Sequence, residues 1–245
     1  AALCEVLNES GDRATRDDLA AIAKERDLKI ISIEQLIAHR RVSEKLITRA
    51  AQAELPTKYG DFQIIVYGVQ YETQEPIALV FGDLTTGGTP PLVRMHSSCF
   101  TGDLLTSLRC DCGDQFHEAL RMISEEGCGV LLYVRQEGRG IGLVNKLQAY
   151  SLMDQGHDTK EADAHLGFEP DIRNYGIGAQ ALVDLGVRKI RLMTNNPKKM
   201  VGLQGYGLHI VEQVGIEVES NQYNQGYLQC KKLKVGHLLN LGATP

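Results

Sequence analysis

The chain is 245 residues long, 43% apolar and 23% charged, with no tryptophan and a formal net charge of −5. That is ample for a buried core in one large domain or two smaller ones. The negative balance argues against sequence-independent nucleic-acid binding, which needs a broad basic surface, and no apolar run approaches the roughly 20 residues of a membrane helix. A local basic pocket for a phosphorylated small molecule is compatible with both.

The opening Ala1-Ala2-Leu3-Cys4 reads as mid-chain rather than as a natural start, with no signal peptide before it. Residues 3–7 (LCEVL) enclose Glu5 in an apolar run, which suits a buried strand with a pointed carboxylate or a strand end with an exposed acid. After a turn at 8–12, Thr15 and Asp18 form a capping box for a helix carrying Leu19, Ile22 and Ala23 on one face. Residues 28–32 read as a strand, with Ser32 as N-cap and Gln35 at the third helical position of the next helix. Residues 43–53 turn polar and alanine-rich, which predicts a linker or connecting helix and a domain boundary near residue 50.

The second unit opens with strand-like segments at 62–67, 77–81 and 91–95, the last two separated by a loop that turns on Gly87-Gly88. Residues 94–115 (RMHSSCFTGDLLTSLRCDCGDQ) then space three cysteines as Cys99-x10-Cys110-x-Cys112. Thiols grouped this tightly beside Arg, His and Asp point to a soft metal, zinc above all; three small buried thiols are the alternative. Six cysteines without a secretory context favour reduced thiols over disulfides, and the cytoplasm is the expected compartment. Structural zinc sites usually close with four protein ligands, whereas the local count here stops at three and leaves a position for water.

A helix over 114–126 follows, with Phe116, Ala119, Leu120 and Ile123 on one stripe and Gly127 as its stop. Residues 129–134 (GVLLYV) read as a strand buried on both faces. Next comes Arg135-Gln136-Glu137-Gly138-Arg139-Gly140-Ile141-Gly142, then a helix to about residue 155. Strand, glycine-rich loop and helix let backbone N–H groups approach an anion, although Leu143 breaks the dinucleotide fingerprint and a plain tight turn is the alternative. Residues 156–175 are expected to be an ordered polar loop. A helix at about 178–185 and a strand at 189–194 lead into Asn195-Asn196-Pro197-Lys198-Lys199. Lysines in a first helical turn oppose the helix dipole unless an anion sits there; an exposed lysine pair is the alternative. A strand at 209–214 and a short closing helix around His237-Leu238-Leu239 end the chain. A three-thiolate zinc, two phosphate-type loops and several arginines together predict hydrolytic attack on a phosphorylated substrate. The zinc-deaminase signature, H-x-E with P-C-x-x-C, is absent from the sequence.

Four stretches carry a resemblance: residues 94–103 (RMHSSCFTGD), 109–113 (RCDCG), 135–142 (RQEGRGIG) and 194–199 (TNNPKK). Through them, residues from about 53 to 240 resemble GTP cyclohydrolase II, the first enzyme of riboflavin synthesis. The resemblance implies hydrolysis of GTP to a diamino-ribosylamino-pyrimidinone 5′-phosphate, formate and pyrophosphate. It implies zinc on Cys99, Cys110 and Cys112, activating the water that attacks C8 of guanine, and magnesium at the triphosphate. Tyr150 matches the family's catalytic tyrosine, Asp171 its acid–base residue and Arg173 its proposed nucleophile at the α-phosphate. Arginine's high pKa makes charge stabilisation of departing pyrophosphate the better role for Arg173. Arg94, Met95, His96, Ser97, Ser98, Gln115, Glu137, Gly138, Arg139, Thr159, Thr194 and Lys199 match the family's GTP contacts. One position departs: the residue before Cys99, often Glu in the family, is Ser98 here, removing a carboxylate beside the metal.

Residues 1–50 resemble the C-terminal end of 3,4-dihydroxy-2-butanone-4-phosphate synthase through Leu3-Cys4-Glu5-Val6 and residues 30–41 (IISIEQLIAHRR), with Glu5 matching a substrate-binding glutamate. That family's upstream metal and catalytic residues are missing, so an inactive remnant at 1–50 is expected before a cyclohydrolase unit at 51–245, as in a fragment of a bifunctional enzyme. The expected fold is α+β: a mixed β-sheet flanked by helices with a zinc site, plus a small N-terminal βαβα remnant. The family's habit implies a homodimer, with neither nucleic acid nor membrane as partner. Two other readings compete: a relative giving a formamide product or GMP, motivated by Ser98, and a nucleotide-binding module with a structural zinc, which a fourth protein ligand would favour.

Overall fold

The computed structural model describes residues 3–85, 88–168, 173, 175–196, 203 and 205–238. The chain divides into two compact units, Ala1–Glu44 and Lys45–Pro245.

The first unit holds two helices, α1 (Arg16–Glu25) and α2 (Ile33–Ser43), each started by the capping box expected for it. Thr15 accepts from the Asp18 N–H and Ser32 from the Gln35 N–H, and both third-position side chains reach back to the cap. The two strands expected beside them do not form, so the βαβα remnant is corrected to a helix pair: residues 3–7 make one bridge, Leu7 to Arg13, and 28–32 are irregular. A strand needs a neighbour to take its backbone hydrogen bonds, and Leu3, Ile30 and Ile31 stay exposed instead. Among the described residues of this unit only Ala14 and Ala23 are buried. Glu5 is the exposed alternative, paired with Arg13 at 2.6 Å.

The second unit is built on a seven-stranded sheet of order β1-β2-β3-β5-β4-β6-β7. The strands are β1 (Ile47–Thr57), β2 (Gly60–Val69), β3 (Ile77–Phe81), β4 (Leu92–Ser97), β5 (Gly129–Val134), β6 (Lys189–Met193) and β7 (His209–Val214). The first three and β5 pair antiparallel, while β5, β4, β6 and β7 run parallel. The linker or helix expected at 43–53 is corrected to the start of β1, which pairs with β2 from Ile47↔Val69 to Thr57↔Gly60. An edge strand with exposed faces tolerates alanines, polar residues and Pro56, so its sequence carries no strand periodicity.

Two helices cover the sheet. α3 (Cys112–Glu126) packs Ala119, Leu120 and Ile123 against Phe62, Leu79, Leu92 and Leu131. α6 (Gly176–Asp184) packs Ile177, Ala181 and Leu182 against Val93, Met95, Val130 and Leu132 on the other face. Alternation along β4 therefore sends Val93 and Met95 to the α6 face and leaves Arg94 and His96 on the α3 face. Residues 156–175 are not all loop: α5 (Thr159–His165) starts on a capping box between Asp158 and Glu161, after α4 (Gly142–Asp154). The closing helix is earlier than expected: α7 spans Gln225–Val235, and His237 and Leu238 lie beyond it, outside helical structure. The helix start expected at Pro197 and Leu239 of the expected tail lie outside the described residues. No helix among those described is long and apolar enough to cross a membrane.

Asp184 ties α6 to the edge of the sheet, accepting from Lys45 Nζ at 2.5 Å, Arg49 Nε at 2.7 Å and the Tyr67 hydroxyl at 3.3 Å. Burial pushes this carboxyl up, but the hydrogen bonds from Lys45 and Arg49 outweigh it and hold it below the usual range. A depressed folded pKa adds stability above the unfolded value, and that stability is lost as pH falls through the folded one. Asp184→Asn is expected to cost about 1–2 kcal/mol at pH 7, because solvent screens its part-exposed partners, and the gap to the parent should begin to narrow below about pH 4 and close as pH falls through the depressed folded pKa. Urea unfolding at pH 7 and pH 3 checks both.

Candidate functional site

The parallel strands β4, β5 and β6 end at one edge of the sheet, where Ser97, Val134 and Met193 hand over to loops. Ligands of open parallel sheets bind outside such carboxyl ends. After β4 the chain makes a tight π turn over Phe100–Leu104, begun by Cys99, whose Sγ accepts from the Gly102 N–H at 3.4 Å. Cys110 precedes α3, and Cys112 is that helix's first residue. The three sulfurs all lie within 4.8 Å of one another. The Cys99–Cys110 separation of 3.7 Å is far beyond a disulfide bond of about 2.05 Å. It is close to the ~3.8 Å edge that a tetrahedron with ~2.3 Å zinc–sulfur bonds requires.

Two glycines permit this approach. A Cβ on Gly102 would lie 2.9 Å from Cys110 Sγ and 3.1 Å from Cys99 Sγ, and one on Gly113 would lie 2.3 Å from the Gly102 carbonyl oxygen. Hydrogen bonds from Cys110 and Cys112 hold the Cys99 thiol far below the usual thiol range. Cys110 is pushed up to about 11: a hydrogen bond from Cys112 favours its thiolate, but Cys99 and burial outweigh that. Three thiolates at this spacing repel one another, and a soft dication removes the conflict. The donor set therefore fits zinc. Among the described residues no fourth His, Cys, Asp or Glu joins the group.

The surroundings hold this turn in place. Both Asp103 carboxylate oxygens lie 3.1 Å from His96 Nε2, and Oδ2 also accepts from the Cys99 N–H at 2.9 Å and the Tyr133 hydroxyl at 3.0 Å. The His96 ring stacks on Tyr133 and meets Phe116 edge-on. Arg94, buried beside it, donates to the Met193 carbonyl at 3.0 Å and to Gln115 Oε1 at 2.5 Å, and Gln115 Nε2 donates to Asp111 at 2.6 Å. Lys231 of α7 closes this chain, donating to Asp111 at 2.7 Å and lying over the Tyr227 ring. Burial pushes the Asp111 carboxyl up, and the charge and hydrogen bond of Lys231 outweigh it and hold it low.

The glycine-rich loop after β5 turns at Glu137–Gly140, with Gly138 at φ 61° and Arg139 at φ 60°. A left-handed arginine is strained backbone, of the kind that clusters at functional sites. Its Nη1 donates to Asp163 of α5 at 3.0 Å. Tyr150 on α4 sits under the Arg109 guanidinium at 5.0 Å and the Lys146 ammonium at 5.7 Å.

One cleft gathers Arg94, His96, Ser97, Ser98, Cys99, Cys110, Cys112, Gln115, Glu137, Gly138, Arg139, Tyr150, Thr159, Arg173 and Thr194. Met95 is the exception among the described candidates and is corrected to a core residue. It is buried on the α6 face, so close to Gly178 that a Cβ there would meet Met95 Cε at 2.3 Å. Asp171 and Lys199 lie outside the described residues. Lys146, Asp163, Tyr227 and Lys231, outside the motifs, also line the cleft, as do Arg109 and Asp111, which lie within the 109–113 motif without an assigned role. A signal existed for Lys146, four residues before Tyr150 on one helix face. Six cationic side chains (Arg94, Arg109, Arg139, Lys146, Arg173 and Lys231) face three carboxylates (Asp111, Glu137 and Asp163) in this cleft, an excess of positive charge in a chain of net charge −5.

Residues 48–215 match the family described as GTP cyclohydrolase II. The chain belongs to the GTP cyclohydrolase II family. It is 56% identical over 239 residues to the riboflavin biosynthesis protein RibBA of Bacillus cereus, covering 98% of this chain and 60% of that protein. It is 54% identical over 238 residues to RibBA of Chlorobium phaeovibrioides, covering 97% and 58%. The chain thus spans about three fifths of the length of these curated relatives. A crystal structure of RibBX, a two-domain 3,4-dihydroxy-2-butanone 4-phosphate synthase from A. baumannii, aligns at 25% identity with a TM-score of 0.49, over 88% of this chain and 53% of that one. In this GTP cyclohydrolase II domain, α7 lies beyond the matched residues and yet lines the cleft through Tyr227 and Lys231.

Proposed function

We propose that the chain hydrolyses GTP to the diamino-ribosylamino-pyrimidinone 5′-phosphate, formate and pyrophosphate. The observation that carries this reading is a three-cysteine cluster, lacking a fourth ligand of the usual kinds among the described residues, in a cationic cleft of a GTP cyclohydrolase II domain. Cys99, Cys110 and Cys112 would hold zinc, which when bound supplies an activated water and polarises the imidazole ring of guanine for attack at C8. That no fourth ligand joins the cluster among the described residues weighs against a purely structural zinc.

The chain's own residues bind and orient the nucleotide. Arg94, Arg139 and Arg173 neutralise the triphosphate, and Arg173 stabilises charge on the departing pyrophosphate. Tyr150, with the Arg109 guanidinium and the Lys146 ammonium over its ring at 5.0 and 5.7 Å, packs beside the base. Ser97, Ser98, Gln115, Glu137, Gly138, Thr159, Thr194 and Lys199 complete the contacts, with Asp171 moving the proton and magnesium on the phosphates. Met95 packs its side chain into the core on the α6 face, which leaves only its backbone for a contact with GTP. A cytoplasmic homodimer whose residues 1–50 carry no synthase activity completes the proposal, resting on family resemblance.

The test is turnover of GTP with zinc and magnesium present, quantifying formate and pyrophosphate together. Equal amounts are expected. Pyrophosphate without formate would mean that Ser98, in place of the family's frequent Glu, has uncoupled ring opening from phosphate chemistry. Neither product, with GTP bound, would sink the enzyme reading and leave a binding module.

A further inference from the structure

Lys146 sits on α4, forty-seven positions from the first metal-site cysteine, yet its Nζ lies 3.0 Å from Cys99 Sγ. The same nitrogen donates to Thr101 Oγ1 at 2.8 Å and to Glu137 Oε1 at 2.7 Å. An ammonium has three protons, and all three are directed at partners. A phosphate could take one only by displacing an existing acceptor, so this lysine does not fit a phosphate-binding role. Glu137 is held in turn, its Oε2 accepting from the Phe100 N–H at 2.6 Å. The loop also packs directly on the lysine, since a Cβ on Gly138 would lie 3.2 Å from Lys146 Cβ.

We propose that Lys146 is a positioning residue for the metal centre: a permanent hydrogen-bond donor to the Cys99 thiolate that offsets the excess negative charge of a three-thiolate set and locks the glycine-rich loop to it. Three thiolates around a dication leave one negative charge, which weakens the metal's pull on a bound water and repels an incoming triphosphate. One ammonium at 3.0 Å from Cys99 Sγ, shared with the Glu137 carboxylate, offsets part of it. Groups of this kind, which touch a ligand rather than the metal, set ligand basicity and orientation. The proposal rests on the proposed zinc site, not on GTP being the substrate.

The test is the cobalt(II)-substituted protein, in which the sulfur-to-cobalt charge-transfer band reports how electron-rich the thiolates are. In Lys146→Met the band is expected to move to lower energy while the tetrahedral ligand-field bands persist, and Lys146→Arg should move it part of the way back. Formate release by the zinc form should fall about 10- to 100-fold. An unmoved band in cobalt-loaded Lys146→Met would overturn the proposal whatever the activity. Should that variant not fold, Lys146→Gln keeps a neutral donor and should show a smaller shift; an unmoved band there overturns it equally. A moved band in a protein that never turns over GTP would uphold the role of Lys146 and sink the proposed reaction.

Discussion

Cys110→Ser is expected to abolish formate release from GTP while the folded chain persists. Cys110 is buried and its sulfur lies 3.7 Å from that of Cys99, so it is placed to be one of three thiolate ligands. Serine is nearly isosteric, but its neutral hydroxyl is a hard, weak ligand for a soft dication. Metal polarisation and water activation are worth several kcal/mol, so formate release should drop by about 10³-fold or more. Zinc content by emission spectroscopy should fall well below one per chain. Full zinc loading with normal formate release would remove Cys110 from the ligand set and with it the zinc assignment.

Gly113→Ala should be nearly as damaging, by a route that touches no ligand atom. Its Cβ would fall 2.3 Å from the Gly102 carbonyl oxygen, a backbone atom, so the start of α3 or the π turn must shift. Overpacking typically costs about 1–3 kcal/mol, and relief here comes from moving Cys112 away from Cys99. Gly102→Ala is the milder control, because its closest contact is a sulfur at 2.9 Å. The expected order of zinc affinity is parent, Gly102→Ala, Gly113→Ala, read by competition with a chromogenic chelator. Equal affinities for all three would show that the close approach of turn and helix is not what sets the cluster.

Much of the fold was readable because local periodicity and packing agreed. The apolar runs at 77–81 and 129–134 became β3 and β5, and the stripe through Phe116, Ala119, Leu120 and Ile123 became α3, stopped by Gly127 at φ 79°. Elements without their own periodicity were missed or misread. β1 is a strand because β2 pairs along it, whereas residues 28–32 have strand-like composition and no partner. α5 had a signal, the Asp158–Glu161 capping box, obscured by the polarity of its surroundings. Met95 was also decidable: once 91–95 is a strand, alternation places Met95 opposite Arg94 and His96.

What the amino-acid sequence marked by itself was a trio of cysteines able to act as metal ligands and the loops around them. Spacing within one short segment limits which side chains can meet, and thiol chemistry limits what they can hold. Only the tertiary structure decided how these ligands are supported. The Lys146–Cys99 and Lys231–Asp111 contacts join residues 47 and 120 positions apart. Nothing local marks such pairs, because their separation is set by the order in which parallel strands are laid beside one another. The sheet brings the loops after β4, β5 and β6 to a common edge, and that shared edge turns three separate motifs into one charged cleft.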